Sequence, residues 1–219
     1  MDSVCSHTRE DVLCELFSRY PSLGVCEADV RSAEELLERR LVMGGKLLVC
    51  GNGGSAADSE HIVGELMKSF RFKRPVDMGF AEAYRKANGA EPPEWLEGAL
   101  PAVALVSHTA LSTAFGNDEA AVGVFAQQVY GYGAPGDALL CISTSGSSAN
   151  VVEAAKVARA KDIAVVALTG LRTSALTELA DVCVRVPETE TFKVQELHLP
   201  VYHALCAAIE AELFGEKAR

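Results

Sequence analysis

Lys46-Leu47-Leu48-Val49-Cys50-Gly51-Asn52-Gly53-Gly54-Ser55 is an apolar run that breaks at once into a glycine-rich turn and then into a helical segment. The same rhythm returns downstream. Apolar runs recur at 102–106, 137–142, 163–168 and 182–186, and the run 137–142 leads into Ser143-Thr144-Ser145-Gly146-Ser147-Ser148 before another helix. Strands that alternate with helices need crossover connections, which are right-handed and cover both faces of a parallel sheet. The expected fold class is therefore α/β, a three-layer αβα sandwich around a five-stranded parallel sheet. The run 182–186 alternates instead of being uniformly apolar, which marks it as an edge strand.

Two helical patterns precede the first strand. Thr8 offers an N-cap with Asp11 three residues on, and Val12, Leu13, Leu16 and Phe17 follow at helical spacing until Pro21 stops them. A second helix is expected from Glu27 to Met43, ended by Gly44-Gly45. A long helix after Thr191 closes the chain. The stretch 69–101 does not fit the rhythm: it is too long for an αβ connection and carries Pro92-Pro93 and Trp95. It reads as a surface insertion with one or two short helices, or as a lid or subunit contact. The organisation expected is one domain over 1–219, with N-terminal helices in 1–45 and an insertion at 69–101.

The chain has 219 residues, of which 49% are hydrophobic and 23% charged, enough for one substantial core. No apolar run reaches the roughly 20 residues of a membrane span, and charges at Glu10, Asp11, Glu15 and Arg19 interrupt the start where a secretory signal would lie. A cytoplasmic protein with no membrane partner is expected. Seven scattered cysteines with no CxxC pair fit reduced, mostly buried thiols. A formal charge of −10 argues against nucleic-acid binding, which needs a basic face. It leaves room for a small phosphorylated ligand, because helix N-termini hold phosphate with backbone N–H groups.

In a parallel sheet, ligands bind beyond the carboxyl ends of the strands, and both polar loops fall there. The loop 143–148 offers five hydroxyls, a glycine and the start of a helix, more than an N-cap requires. The turn 51–55 lacks the lysine of a P-loop and is a weak signal alone; beside the serine loop it becomes a second wall of one site. His61 and Glu65 follow on one face of the next helix, and Gln195 and His203 lie on one side of the last. A carboxylate facing a histidine suits acid–base work, and His61 with Gln195 would complete a set able to hold zinc. Taken singly, each of these residues fits an ordinary structural role better, and their spacing alone does not overturn that reading.

The run 50–55 with His61 and Glu65, the run 143–151, and Gln195-Glu196 with His203 together resemble the sugar isomerase (SIS) domain family. Within it, they resemble the phosphoheptose isomerases over nearly the whole chain apart from 69–101. The resemblance implies the SIS fold. It also implies an aldose–ketose isomerase, an intramolecular oxidoreductase converting sedoheptulose 7-phosphate to D-glycero-D-manno-heptose 7-phosphate through an enediol in heptose biosynthesis. Carried over by position, Glu65 and His203 are catalytic. Asn52, Gly53, Gly54, Ser55, Glu65, Asn117, Asp118, Ser143, Thr144, Ser145, Ser148 and Gln195 bind substrate. His61, Glu65, Gln195 and His203 would hold one zinc per subunit, as in some members, and the family's homotetramer places sites between subunits. The chain departs from the family at Phe192, where an aspartate often stands, and at Pro200, expected to bend the last helix and remove a hydrogen bond to Glu196. Two alternatives stay open: a non-catalytic phosphosugar-binding regulator of the same fold, which would lack the Glu/His pair, and an isomerase of another phosphosugar.

Overall fold

β1 (Leu47–Gly51) lies inside the sheet, flanked by β2 (Ala102–Ala104) and β3 (Ala138–Ile142). Beyond β3 come β4 (Ala164–Thr169) and β5 (Val182–Arg185), giving the order β2-β1-β3-β4-β5 with every neighbour parallel. The computed structural model describes residues 8–215. The five expected strands are all present, and β5 is an edge strand as its alternation predicts. Residues 1–7, with Cys5 and the first part of the stretch read as lacking a secretory signal, lie outside the described residues.

Register decides where function can sit. Gly51 pairs with Ile142, so β1 and β3 end level and release the glycine turn and the serine loop side by side. The pleat sends alternate side chains to opposite faces. Leu47, Val49, Leu140, Ile142, Val166 and Leu168 point into one core layer, and Leu48, Cys50, Leu139, Cys141, Val165 and Ala167 into the other.

The first layer is covered by α1 (Arg9–Arg19), α2 (Glu27–Val42), α3 (Gly54–Met67) and α9 (Thr191–Phe214). The two N-terminal helices thus share the sheet's own core. Thr8 and Asp11 form the expected capping box on α1. The second layer is covered by α6 (Val124–Tyr132), α7 (Ala149–Ala160) and the short α8 (Ala175–Leu179), while α5 (Thr109–Phe115) follows β2. α9 continues as one helix through Pro200, and a nearly unbroken buried stretch from Val201 to Ala211 holds it against both α1 and the sheet. Among the described residues no helix is long and apolar enough to cross a membrane.

The insertion contains one helix, α4 (Met78–Asn88), capped by Asp77 and ended by left-handed Gly89, with no residue buried. Its neck is closed. Pro75 bridges to Glu97, Gly98 N–H donates to the Arg74 carbonyl at 2.7 Å, and Ser69 donates to the Glu97 carboxylate through backbone and hydroxyl.

Candidate active site

α3 leaves the glycine turn and crosses α9, and that crossing assembles three ligating side chains. His61 Nε2 lies 3.1 Å from Glu65 Oε1 and 3.4 Å from His203 Nε2. His61 and Glu65 meet because four residues are one turn of helix; His203 joins them only through the tertiary crossing. One ligand atom from each falls within 4.8 Å of the other two. Glu65 is largely shielded, and its Oε2 is buried without a hydrogen-bond partner, with Lys68 Nζ 3.8 Å away.

Tyr202 and Asp58 supply a layer behind this trio. The Tyr202 hydroxyl donates to Asp58 Oδ1 at 3.2 Å and lies 3.1 Å from His61 Nδ1. A phenol has one proton. With that proton on Asp58, the oxygen accepts from His61 Nδ1–H, and His61 Nε2 faces Glu65 either as a lone pair or as an imidazolium N–H. With a lone pair there, the space between His61, Glu65 and His203 calls for positive charge; with an imidazolium, His61 supplies that charge itself. Burial raises the Asp58 carboxyl and the Tyr202 phenol above their ordinary values, keeping the phenol protonated. Burial, helped by neighbouring His61, lowers the His203 imidazole below its ordinary value. Two imidazoles and a carboxylate with an idle oxygen are a donor set that fits zinc.

The two polar loops are tied together directly. Asn52 in the glycine turn and Asn150 at the start of α7 exchange amide hydrogen bonds of 2.9 Å in both directions. In the serine loop, Ser143 and Ser148 hydroxyls sit 3.0 Å apart. Ser148 precedes α7, yet its side chain makes no capping bond, so that hydroxyl is not used as a cap. Gly146 has φ +65°, and a Cβ there would run into the Ser174 side chain, so only glycine fits. Thr144, Ser145 and Ser147 line a cleft of about 310 Å³ with Arg172 and Thr173. Ser55 is buried at the start of α3, and Gly53 adopts φ +57° beside it.

The remaining predicted residues fall into two places. Gln195 lies over the glycine turn: a Cβ on Gly54 would sit 2.5 Å from its Nε2. Eight residues of α9, about 12 Å of rise, separate it from His203. Asn117 and Asp118 occupy a π-helical turn and hydrogen-bond to each other at 2.8 Å. His203 itself opens on a cleft of about 420 Å³ between α1 and α9, lined by Arg19, Tyr20, Phe70, Arg71 and Leu199 among others. Sequence reasoning missed Asp58, Tyr202 and Arg172. Asp58 stands three residues before His61 and shares its helical face, a signal available in advance; Tyr202 and Arg172 carried none.

The chain is similar to known proteins over most of its length. A family model described as SIS domain matches residues 96–170. The phosphoheptose isomerase of Rhodospirillum rubrum is 37% identical over 191 residues, covering 87% of this chain and 89% of that protein. That of Thiobacillus denitrificans is 40% identical over 189 residues, covering 85% and 84%. Among solved structures, phosphoheptose isomerase GmhA from Neisseria gonorrhoeae matches with a TM-score of 0.72 at 35% identity, over 90% of this chain and 94% of that one. A phosphoheptose isomerase from Francisella tularensis gives a TM-score of 0.70 at 29% identity, over 91% and 93%.

Proposed function

The chain belongs to the phosphoheptose isomerases of the SIS-domain family, and from that premise we propose how its own residues carry out the reaction. It is an aldose–ketose isomerase, and its substrate is sedoheptulose 7-phosphate. The observation that carries the mechanism is the convergence of Glu65 with His203 and His61, a largely shielded carboxylate against two imidazoles.

The phosphate binds at Ser143, Thr144, Ser145 and Ser148, with Ser55 behind them, where hydroxyls and the N-terminus of α7 favour an anion. Asn52, Gly53 and Gly54 form the facing wall, with Gln195 over Gly54 and Asn117-Asp118 contributing sugar contacts. Glu65 removes the proton from the carbon beside the carbonyl and returns it to the neighbouring carbon. His203 moves a proton between the two oxygens, and its lowered pKa leaves the imidazole neutral and able to accept one near pH 7. His61, held by Tyr202, orients Glu65. His61, Glu65 and His203 would hold zinc, which when bound would supply positive charge to the developing enediolate oxygen; Gln195, about 12 Å along α9 from His203, would join them only from a neighbouring copy.

The serine loop and His203 line different clefts of one chain, which supports completion of the site by a neighbouring copy in a homotetramer. We also read 1–219 as a single SIS domain and the protein as cytoplasmic. Incubation of purified protein with sedoheptulose 7-phosphate, followed by NMR, should show the aldose signal grow. Binding of the sugar phosphate without turnover, with and without added zinc, would instead favour a phosphosugar-binding regulator.

A further inference from the structure

We infer that Arg74 and Glu210 form a buried clamp that sets the separation of Glu65 and His203, making both positioning residues for the proton transfer; the inference rests on Glu65 being the base. Both side chains are fully shielded within the chain, and Arg74 Nε meets Glu210 Oε1 at 2.8 Å. The rest of the guanidinium turns to the end of α3. Nη1 donates to the Leu66 carbonyl at 2.5 Å and Nη2 to the Glu65 carbonyl at 3.0 Å.

Carbonyls in the last turn of a helix have no intrahelical donor. Arg74 therefore caps α3 at the very residue that bears the base. Its planar fork lets one side chain hold two carbonyls and a carboxylate in fixed directions. Glu210 is equally committed: it also accepts from the N–H of Phe70 at 2.8 Å and of Arg71 at 2.6 Å. The ring of Phe214 closes the site, 5.1 Å from Arg74 Cζ.

Glu210 stands seven residues after His203 on α9, two turns on and on nearly the same stripe. A continuous rigid path thus joins the two catalytic groups: His203, two turns of α9, Glu210, Arg74, and the Glu65 backbone. The same pair fastens the neck of the insertion, where Glu210 holds the N–H groups of Phe70 and Arg71. Stability alone is a poor reason for such a pair, since apolar residues of similar volume are often as stable. Fixed geometry at the base is a better one, because a misplacement of about 1 Å can cost on the order of 100-fold in rate.

The test compares Arg74→Lys with the double variant Arg74→Met/Glu210→Leu, measuring melting temperature, kcat and KM with sedoheptulose 7-phosphate. Lysine keeps the charge beside Glu210 but loses the fork; the double variant removes both charges and leaves neither buried alone. The expected result is a fall in kcat of about 10- to 100-fold in whichever variant folds, with KM within about twofold of the parent. Parent-like kcat in a folded variant overturns the clamp, as does a proportional rise in KM. Loss of folding in both variants also overturns it, leaving a purely structural pair. Glu65→Gln run alongside separates the two ideas: if it stays active the mechanism itself fails, whereas an inactive Glu65→Gln beside a fully active Arg74→Lys sinks the clamp alone.

Discussion

Glu65 has one carboxylate oxygen engaged by His61 and the other buried without a hydrogen bond, its nearest cation the Lys68 ammonium at 3.8 Å. An idle buried acceptor costs stability unless something is meant to meet it, so its presence here fits a group kept ready for a proton or a cation. Glu65→Gln keeps the shape and removes the base. It should lower kcat by about 10²–10⁴-fold while leaving KM and the melting temperature near parent values. His203→Gln should lose kcat similarly, with zinc content of the purified protein falling as well. Steady-state kinetics and metal analysis on the same preparations check both. Near-parent turnover in Glu65→Gln would remove the carboxylate from the mechanism.

Two loops of different chemistry are made into one surface by strand register. β1 and β3 end level, Asn52 and Asn150 join across the gap, and the Gly146 backbone turns in a conformation closed to other residues. Gly146→Ala must move either the loop or Ser174. A backbone forced into such a region costs about 1–3 kcal/mol. The expected outcome is a lower denaturation midpoint together with a raised KM, because the displaced hydroxyls no longer converge on the phosphate. A destabilised Gly146→Ala with unchanged KM would show that the loop's shape is not what binds substrate. At this same scale, the insertion adds a helix with no buried residue to a neck that is held shut.

The whole molecule encloses a titratable group that the chemistry does not use. His198 on α9 is fully buried, its ring nitrogens make no well-formed hydrogen bond, and burial, opposed in part by the nearby Thr169 backbone, lowers its pKa from 6.5 to about 4. The unfolded chain takes up a proton as pH falls below about 6.5, whereas the folded protein does not until about 4, so the folded state loses stability across that window. The full effect is about 3 kcal/mol, at one pKa unit per 1.36 kcal/mol. Between pH 6.5 and 4 the parent should lose stability to urea relative to His198→Phe; the Glu34 carboxyl, raised by burial to about 7, has the opposite dependence and is common to both proteins. An equal slope in both proteins would place the acid sensitivity elsewhere.

What the sequence determined by itself was everything that local rules encode. Apolar runs of strand length, the glycine and serine turns behind them, the Thr8 capping box and the pairing of His61 with Glu65 depend on neighbours within a few residues. The five parallel strands and the two polar loops were legible for that reason, and the motifs they carry pointed to the family. Only the tertiary structure decided the rest. His203 reaches His61 across 142 positions, Tyr202 reaches Asp58 across 144, and Arg74 reaches Glu210 across 136. No periodicity encodes such pairs. Burying α3 and α9 together on one face of the sheet brings them within reach, and a lone buried arginine or tyrosine declares its role only when its partner is seen.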